Sequence, residues 1–164
     1  MDLSNYTLEE LLQAAIKSEI ESNEVYTKLA GRVGNFVLKD RLNFLADEEL
    51  KHKKFVESLH KKKLPDIEIT LPRKSPVPLP QVNIEDENME LSELFFQAME
   101  SEKAAQDFYL GFAEIYRDDT EVKNTLIYLA SMEMNHYQIL KTERNNIDMF
   151  EEYGTEWPFI HIGP

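Results

Sequence analysis

The chain has 164 residues, 42% hydrophobic and 30% charged, with 18 basic against 31 acidic side chains, a net charge of -13 and no cysteine. This length makes one domain with a real core, and the balance is that of a globular chain rather than a disordered one. The acidic surplus disfavours nucleic acid, whose phosphates are held by clustered Lys and Arg. The missing thiols exclude disulfides, Cys-ligated zinc and iron–sulfur centres. No apolar run approaches the ~20 residues of a membrane helix. Met1–Tyr6 has no basic region followed by an apolar stretch, so the expectation is a cytoplasmic protein with no signal peptide.

Thr7-Leu8-Glu9-Glu10 is a capping box, with Tyr6 placed to staple onto Leu11. It predicts a first helix over about 7–33. Its apolar row runs Leu8, Leu12, Ala15, Glu19, Tyr26, Leu29, Val33, so that Glu19 interrupts an inward-facing stripe. Gly31, Gly34 and Asn35 are read as the break. The second helix, about 36–62, carries Leu38, Leu42, Leu45, Glu49, His52, Val56 and Leu59 at steps of three or four. Both ionisable residues fall where a core residue belongs. Lys61-Lys62-Lys63 closes it, offsetting the negative end of the helix.

Pro65, Pro72, Pro76, Pro78 and Pro80 forbid a helix over most of 64–88 and favour extended backbone. The second helix is ~35–40 Å long at ~1.5 Å per residue. About 25 extended residues at ~3.1 Å each cover that distance with slack. The stretch is read as a crossover along the bundle, with reach enough to exchange hairpins between two subunits. The third helix, about 89–117, reads Leu91, Phe95, Ala98, Glu102, Ala105, Tyr109, Phe112, Tyr116. Asp118-Asp119-Thr120 marks a turn and an N-cap. The fourth, about 120–148, reads Val122, Leu126, Leu129, Glu133, His136, Leu140, Ile147. The tail, 149–164, with Trp157, Phe159, Ile160 and Ile162, is too apolar to hang free and is expected to dock on the bundle or on a partner. The whole of 1–164 is thus read as a single all-α domain, two helical hairpins joined by a long crossover.

Glu49-Leu50-Lys51-His52 and Glu133-Met134-Asn135-His136 are both Glu-x-x-His, with Glu19 standing 30 residues before the first and Glu102 standing 31 before the second. The midpoint of each set falls on a predicted turn, Gly34-Asn35 or Asp118-Asp119. In an antiparallel hairpin, residues equidistant from the turn stand level, and Glu and His three apart share a face. Four buried carboxylates without compensating charge would cost many kcal/mol. They are therefore protonated or neutralised by cations, and two divalent ions balance four negative charges. Oxygen and nitrogen ligands without sulfur suit iron or manganese, in the arrangement of di-iron carboxylate bundles.

Three other groups are weighed beside the six. Glu57-Ser58-Leu59-His60 repeats the Glu-x-x-His spelling, but its counterparts in the second half are Lys141 and Arg144, so it is read as a solvated face. His161 is read as a packed or exposed histidine without a site role. Tyr26 and Tyr109 each follow a lone glutamate by two turns. They are core residues or hydroxyls that orient a ligand carboxylate.

Glu102-Lys103-Ala104-Ala105-Gln106-Asp107-Phe108-Tyr109 resembles the Glu-x-x-Ala-x-x-Phe-Tyr of the ferritin-like superfamily, in its rubrerythrin-like branch. Glu19-Ile20-Glu21-Ser22-Asn23-Glu24-Val25-Tyr26 is a looser copy. The resemblance covers about 7–147 and implies a ferritin-like four-helix bundle with a di-iron site on Glu19, Glu49, His52, Glu102, Glu133 and His136. It implies two-electron chemistry with peroxide or dioxygen, manganese or zinc being the other metals such a site takes. Rubrerythrins proper carry a further ligand glutamate where this chain has Ala105, and a rubredoxin domain whose cysteines deliver electrons. Without cysteine, the expected electron donor is another molecule. The leading expectation is a di-iron oxidoreductase, a homodimer without membrane or nucleic-acid partners. The alternatives are a metal-binding or iron-storage protein without turnover, a structural bundle with a vestigial site, and a two-manganese catalase.

Overall fold

Three of the four helices begin where a side chain satisfies a free N–H group, and the third begins at Glu90 without one. Thr7 opens the first as expected. Its Oγ1 accepts from Glu10 N at 3.2 Å, while its own N–H donates to Glu10 Oε2 at 2.8 Å. Asn35 opens the second, accepting from Leu38 N at 3.1 Å, and Asp119 the fourth, accepting from Val122 N at 3.2 Å. The computed structural model describes residues 2–154, and side chains for residues 2–149. Its helices are α1 (Leu8–Arg32), α2 (Phe36–Lys63), α3 (Leu91–Ile115) and α4 (Thr120–Gly154). α1 packs along α2 and α3 along α4, giving two antiparallel hairpins laid side by side.

Two details differ from the reading of the sequence. Gly31 lies inside α1, and the chain turns at Val33 in an extended conformation, with no positive-φ glycine among the described residues. The break therefore comes from extended backbone and the Asn35 cap rather than from a left-handed glycine. α4 continues to Gly154, taking up residues 149–154 that were assigned to the tail. Met149 to Tyr153 contain no helix breaker, and the first is Gly154 itself. The expected docking of the rest of the tail, and His161, lie outside the described residues.

The crossover runs the length of the bundle. Lys63 Nζ bonds Asp119 Oδ2 at 2.7 Å, tying the C-terminal end of α2 to the α3–α4 turn. At the other end Arg32 donates to the carbonyls of Asp86, Glu87 and Met89 just before α3 begins. The N-terminal segment is also fixed. Leu3 lies against α3 at Gly111, where a Cβ would stand 3.3 Å from Leu3 Cδ1.

The stripes become two separate apolar clusters. The lower one gathers Leu11, Leu12, Ile16, Val56, Leu59, Phe108, Tyr109, Phe112, Val122, Leu126 and Leu129. The upper one gathers Tyr26, Leu29, Leu38, Leu42, Leu45, Leu94, Phe95, Ala98 and Leu140. Between them, midway along every helix, lies a polar layer.

Candidate metal centre

The layer consists of the six residues singled out by their spacing. Glu19, Glu49, His52, Glu102, Glu133 and His136 are each at most 2% exposed. One helical period brings Glu49 and His52 to one face of α2, and Glu133 and His136 to one face of α4. Their ligating atoms lie within 4.8 Å of one another. α1 and α3 contribute one glutamate each from the opposite side.

The two imidazoles stack with centroids 5.1 Å apart and planes 14° from parallel. His52 Nδ1 faces Glu133 Oε1 at 3.1 Å, Glu49 Oε2 at 3.2 Å and Glu19 Oε2 at 3.4 Å. His136 Nδ1 faces Glu49 Oε1 at 3.0 Å, Glu133 Oε2 at 3.6 Å and Glu102 Oε2 at 3.7 Å. Glu49 and Glu133 thus turn one oxygen toward each histidine. Glu19 serves only the His52 half and Glu102 only the His136 half.

None of these approaches is a well-directed hydrogen bond. Both nitrogens of both histidines, both Glu49 oxygens, Glu19 Oε2, Glu102 Oε2 and Glu133 Oε1 are buried without a hydrogen-bond partner. Buried polar atoms left unpaired in this number are costly. Nitrogen and oxygen donors that converge with no directed hydrogen bond among them are what a cation satisfies, so the donor set fits two metal ions.

The other oxygens of Glu19 and Glu102 are held by tyrosines in a crossed pattern. Tyr26 of the first hairpin donates to Glu102 Oε1 of the second, and Tyr109 of the second donates to Glu19 Oε1 of the first. Burial first, then the neighbouring carboxylates, push both phenols well above their usual range, so they stay neutral donors. Both hydroxyls thus donate to carboxylates of the layer, and both rings pack in the core.

In the metal-free protein, burial and the Glu133 charge raise Glu102 to about 8 and lift Glu19 well above the carboxylate range. Burial alone would lower His52, but Glu133, Glu19 and Glu49 outweigh it and carry it up to about 12. His136 is raised for the same reason, by Glu102, Glu133 and Glu49 against its own burial. Burial and Glu49 would raise Glu133, yet the two imidazoles beside it leave it lowered. Protons thus take over part of the neutralisation when metal is absent.

The second Glu-x-x-His departs from its expected surface role. Glu57 is only partly exposed and pairs with Lys53 at 3.1 Å, whereas His60 is fully buried, with neither ring nitrogen hydrogen-bonded. Leu3, Tyr6, Leu64 and Ile69 pack on the lower core, which also holds Leu59, the residue before His60. It is far along α2 from the six and joins no ligand group. Two further residues escaped the sequence reading. Glu143 is 8% exposed and pairs with Arg41 at 2.7 Å. Its signal was its place between Leu140 and Ile147 on the stripe of α4. Asn23 Nδ2 donates to Ala46 O at 2.7 Å and pins α1 to α2 one turn from the site.

The family model of Rubrerythrin matches residues 10–144. The chain belongs to the rubrerythrin family. A solved structure, a hypothetical protein from Pyrococcus furiosus, is 33% identical with a TM-score of 0.73, and the match covers 88% of this chain and 92% of that one. No curated protein matches at a significant level. The expected fold, an all-α ferritin-like bundle, and the rubrerythrin-like resemblance both stand. Among the described residues, no helix is long and apolar enough to cross a membrane.

Proposed function

We propose that the six residues hold two iron ions and that the protein is an oxidoreductase acting on peroxide or dioxygen. One observation carries this reading. Glu49 and Glu133 each present one oxygen to each half of the cluster, as bridging carboxylates do, and each half has its own imidazole. Oxygen and nitrogen donors suit iron or manganese, and the family resemblance favours iron. Held by Glu19, Glu49, His52, Glu102, Glu133 and His136, two ferrous ions would supply one electron each, enough with two protons to reduce one peroxide to two waters.

The chain's own residues set the conditions. Glu19 and Glu102 close the two ends, held by Tyr109 and Tyr26. The apolar clusters above and below keep bulk water away and strengthen every charge interaction in the layer. These residues hold no thiol, and we assign the return of the site to its reduced state to an electron donor outside them.

The test is an anaerobic titration of metal-free protein with Fe(II), followed by peroxide. The expected result is two irons per chain and prompt near-ultraviolet absorption of oxo-bridged ferric iron. Failure to bind iron, or one ion without redox change, overturns the reading.

A further inference from the structure

The six ligands are sealed, so a reactant needs a way to them. Side chains of α1 and α3 leave a cavity on the seam between them, under the crossover. There Ser18 and Ser22 on α1 share one cavity of about 210 Å³ with Ala98 and Ser101 on α3. Ser18 and Ser101 immediately precede the ligands Glu19 and Glu102, and Ser22 lies one turn beyond Glu19. The cavity wall also includes Tyr26, whose hydroxyl donates to Glu102. From the outside, Pro80-Gln81-Val82 of the crossover roofs it. Ser101 Oγ donates to Pro80 O at 3.4 Å, Gln81 Nε2 donates to Glu21 Oε2 at 3.4 Å, and Asn83 N donates to Gln97 Oε1 at 3.0 Å. The roof is thereby stitched to both helices.

We propose that this chamber is the binding anteroom through which peroxide reaches the metal layer, with Ser22 and Ser101 setting its width. The inference rests on the oxidoreductase reading above. The chamber has room for a few water-sized molecules at ~30 Å³ each. Hydroxyls on Ser18, Ser22 and Ser101 both donate and accept, which matches a small uncharged molecule that does both. Glu21, Glu24 and Glu85 at the wall, against the one cation Lys28, disfavour anions. None of the six ligands lines this chamber directly; its link to the layer is Tyr26, which hydrogen-bonds Glu102 and which lines neither the cavities by the α1–α2 turn and between α2 and α4 nor those on the flanks of the crossover.

The absence of cysteine makes the test direct, because any introduced thiol is unique. Ser22→Cys and Ser101→Cys are compared with Ser131→Cys, an exposed position on α4. In the metal-free proteins, methyl methanethiosulfonate reads whether the chamber admits a small uncharged molecule, independently of iron. All three thiols are expected to react. The larger benzyl reagent then fills the chamber. With two irons bound, the Ser22 and Ser101 adducts should slow oxidation by peroxide by about tenfold or more, and the Ser131 adduct should not.

Two sites and two adduct sizes keep a single disturbed variant from deciding the outcome. Ser22→Cys and Ser101→Cys proteins that resist the reagent while Ser131→Cys reacts would overturn the inference. So would filled chambers that leave the rate unchanged in a protein that still oxidises iron. Unmodified protein that fails to oxidise iron removes the oxidoreductase reading itself, and the inference falls with it. The two failures are told apart by that one control.

Discussion

Glutamates of one cluster differ in what they share. Glu49 and Glu133 address both histidines, while Glu19 and Glu102 address one each. Glu49→Ala or Glu133→Ala should therefore abolish binding of both ions. Glu19→Ala should leave the half built on His136 and Glu102, and metal analysis after dialysis should find about one ion per chain, since each half keeps its own ligands only if the shared carboxylates remain. Equal losses in all three variants would deny the distinction. The tyrosines act one step further out. Tyr26→Phe keeps the buried ring and removes only the donor to Glu102, so the fold should persist while metal affinity falls by roughly 10–100-fold. A competitive titration against a chelator measures this, and unchanged affinity would reduce Tyr26 to packing alone.

At the scale of helices, the capping box at Thr7 is a local device whose loss reads out globally. Thr7→Ala removes the acceptor for Glu10 N and should cost about 1 kcal/mol, seen as a lower midpoint in denaturant at unchanged slope. Phe112→Ala in the lower cluster should cost ~3–5 kcal/mol, because a fully buried ring leaves a cavity. Such stripes are why the helices were legible. A burial period of three or four is a property of local sequence, and an ionisable residue on it is visible at once. Glu49 and His52 announced themselves in this way. What stayed hidden depends on contacts between distant segments. His60 is buried at the end of the bundle where Leu3, Tyr6 and Ile69 of distant segments also pack, and no local pattern encodes such packing. Glu143 is tolerated on its stripe because Arg41 of another helix reaches it. The crossed tyrosine bonds required both hairpins in place, since each donor and its acceptor belong to different halves of the chain.

For the molecule as a whole, a polar layer between two apolar clusters makes stability depend on what neutralises that layer. In the metal-free protein Glu102 titrates near 8 instead of its ordinary 4.5, and His52 near 12 instead of 6.5. Both values are raised. Their contributions are fully present below the unfolded values and are lost as pH rises toward the folded ones. Between about pH 5 and 8 the native state therefore holds more protons than the unfolded chain, and metal-free stability should fall as pH rises. Glu133, lowered instead, works the other way only in stronger acid. Metal reverses the dependence. Ions replace the protons of Glu102, Glu19 and the imidazoles, so binding releases protons and tightens as pH rises. Each ion bound at a hundredfold excess over its Kd adds about 2.7 kcal/mol. The gap in thermal midpoint between loaded and metal-free protein should accordingly widen from about pH 6 to pH 8. A gap that stays constant over this range would mean that protons and metal do not compete for the layer, and that its carboxylates are not the ligands.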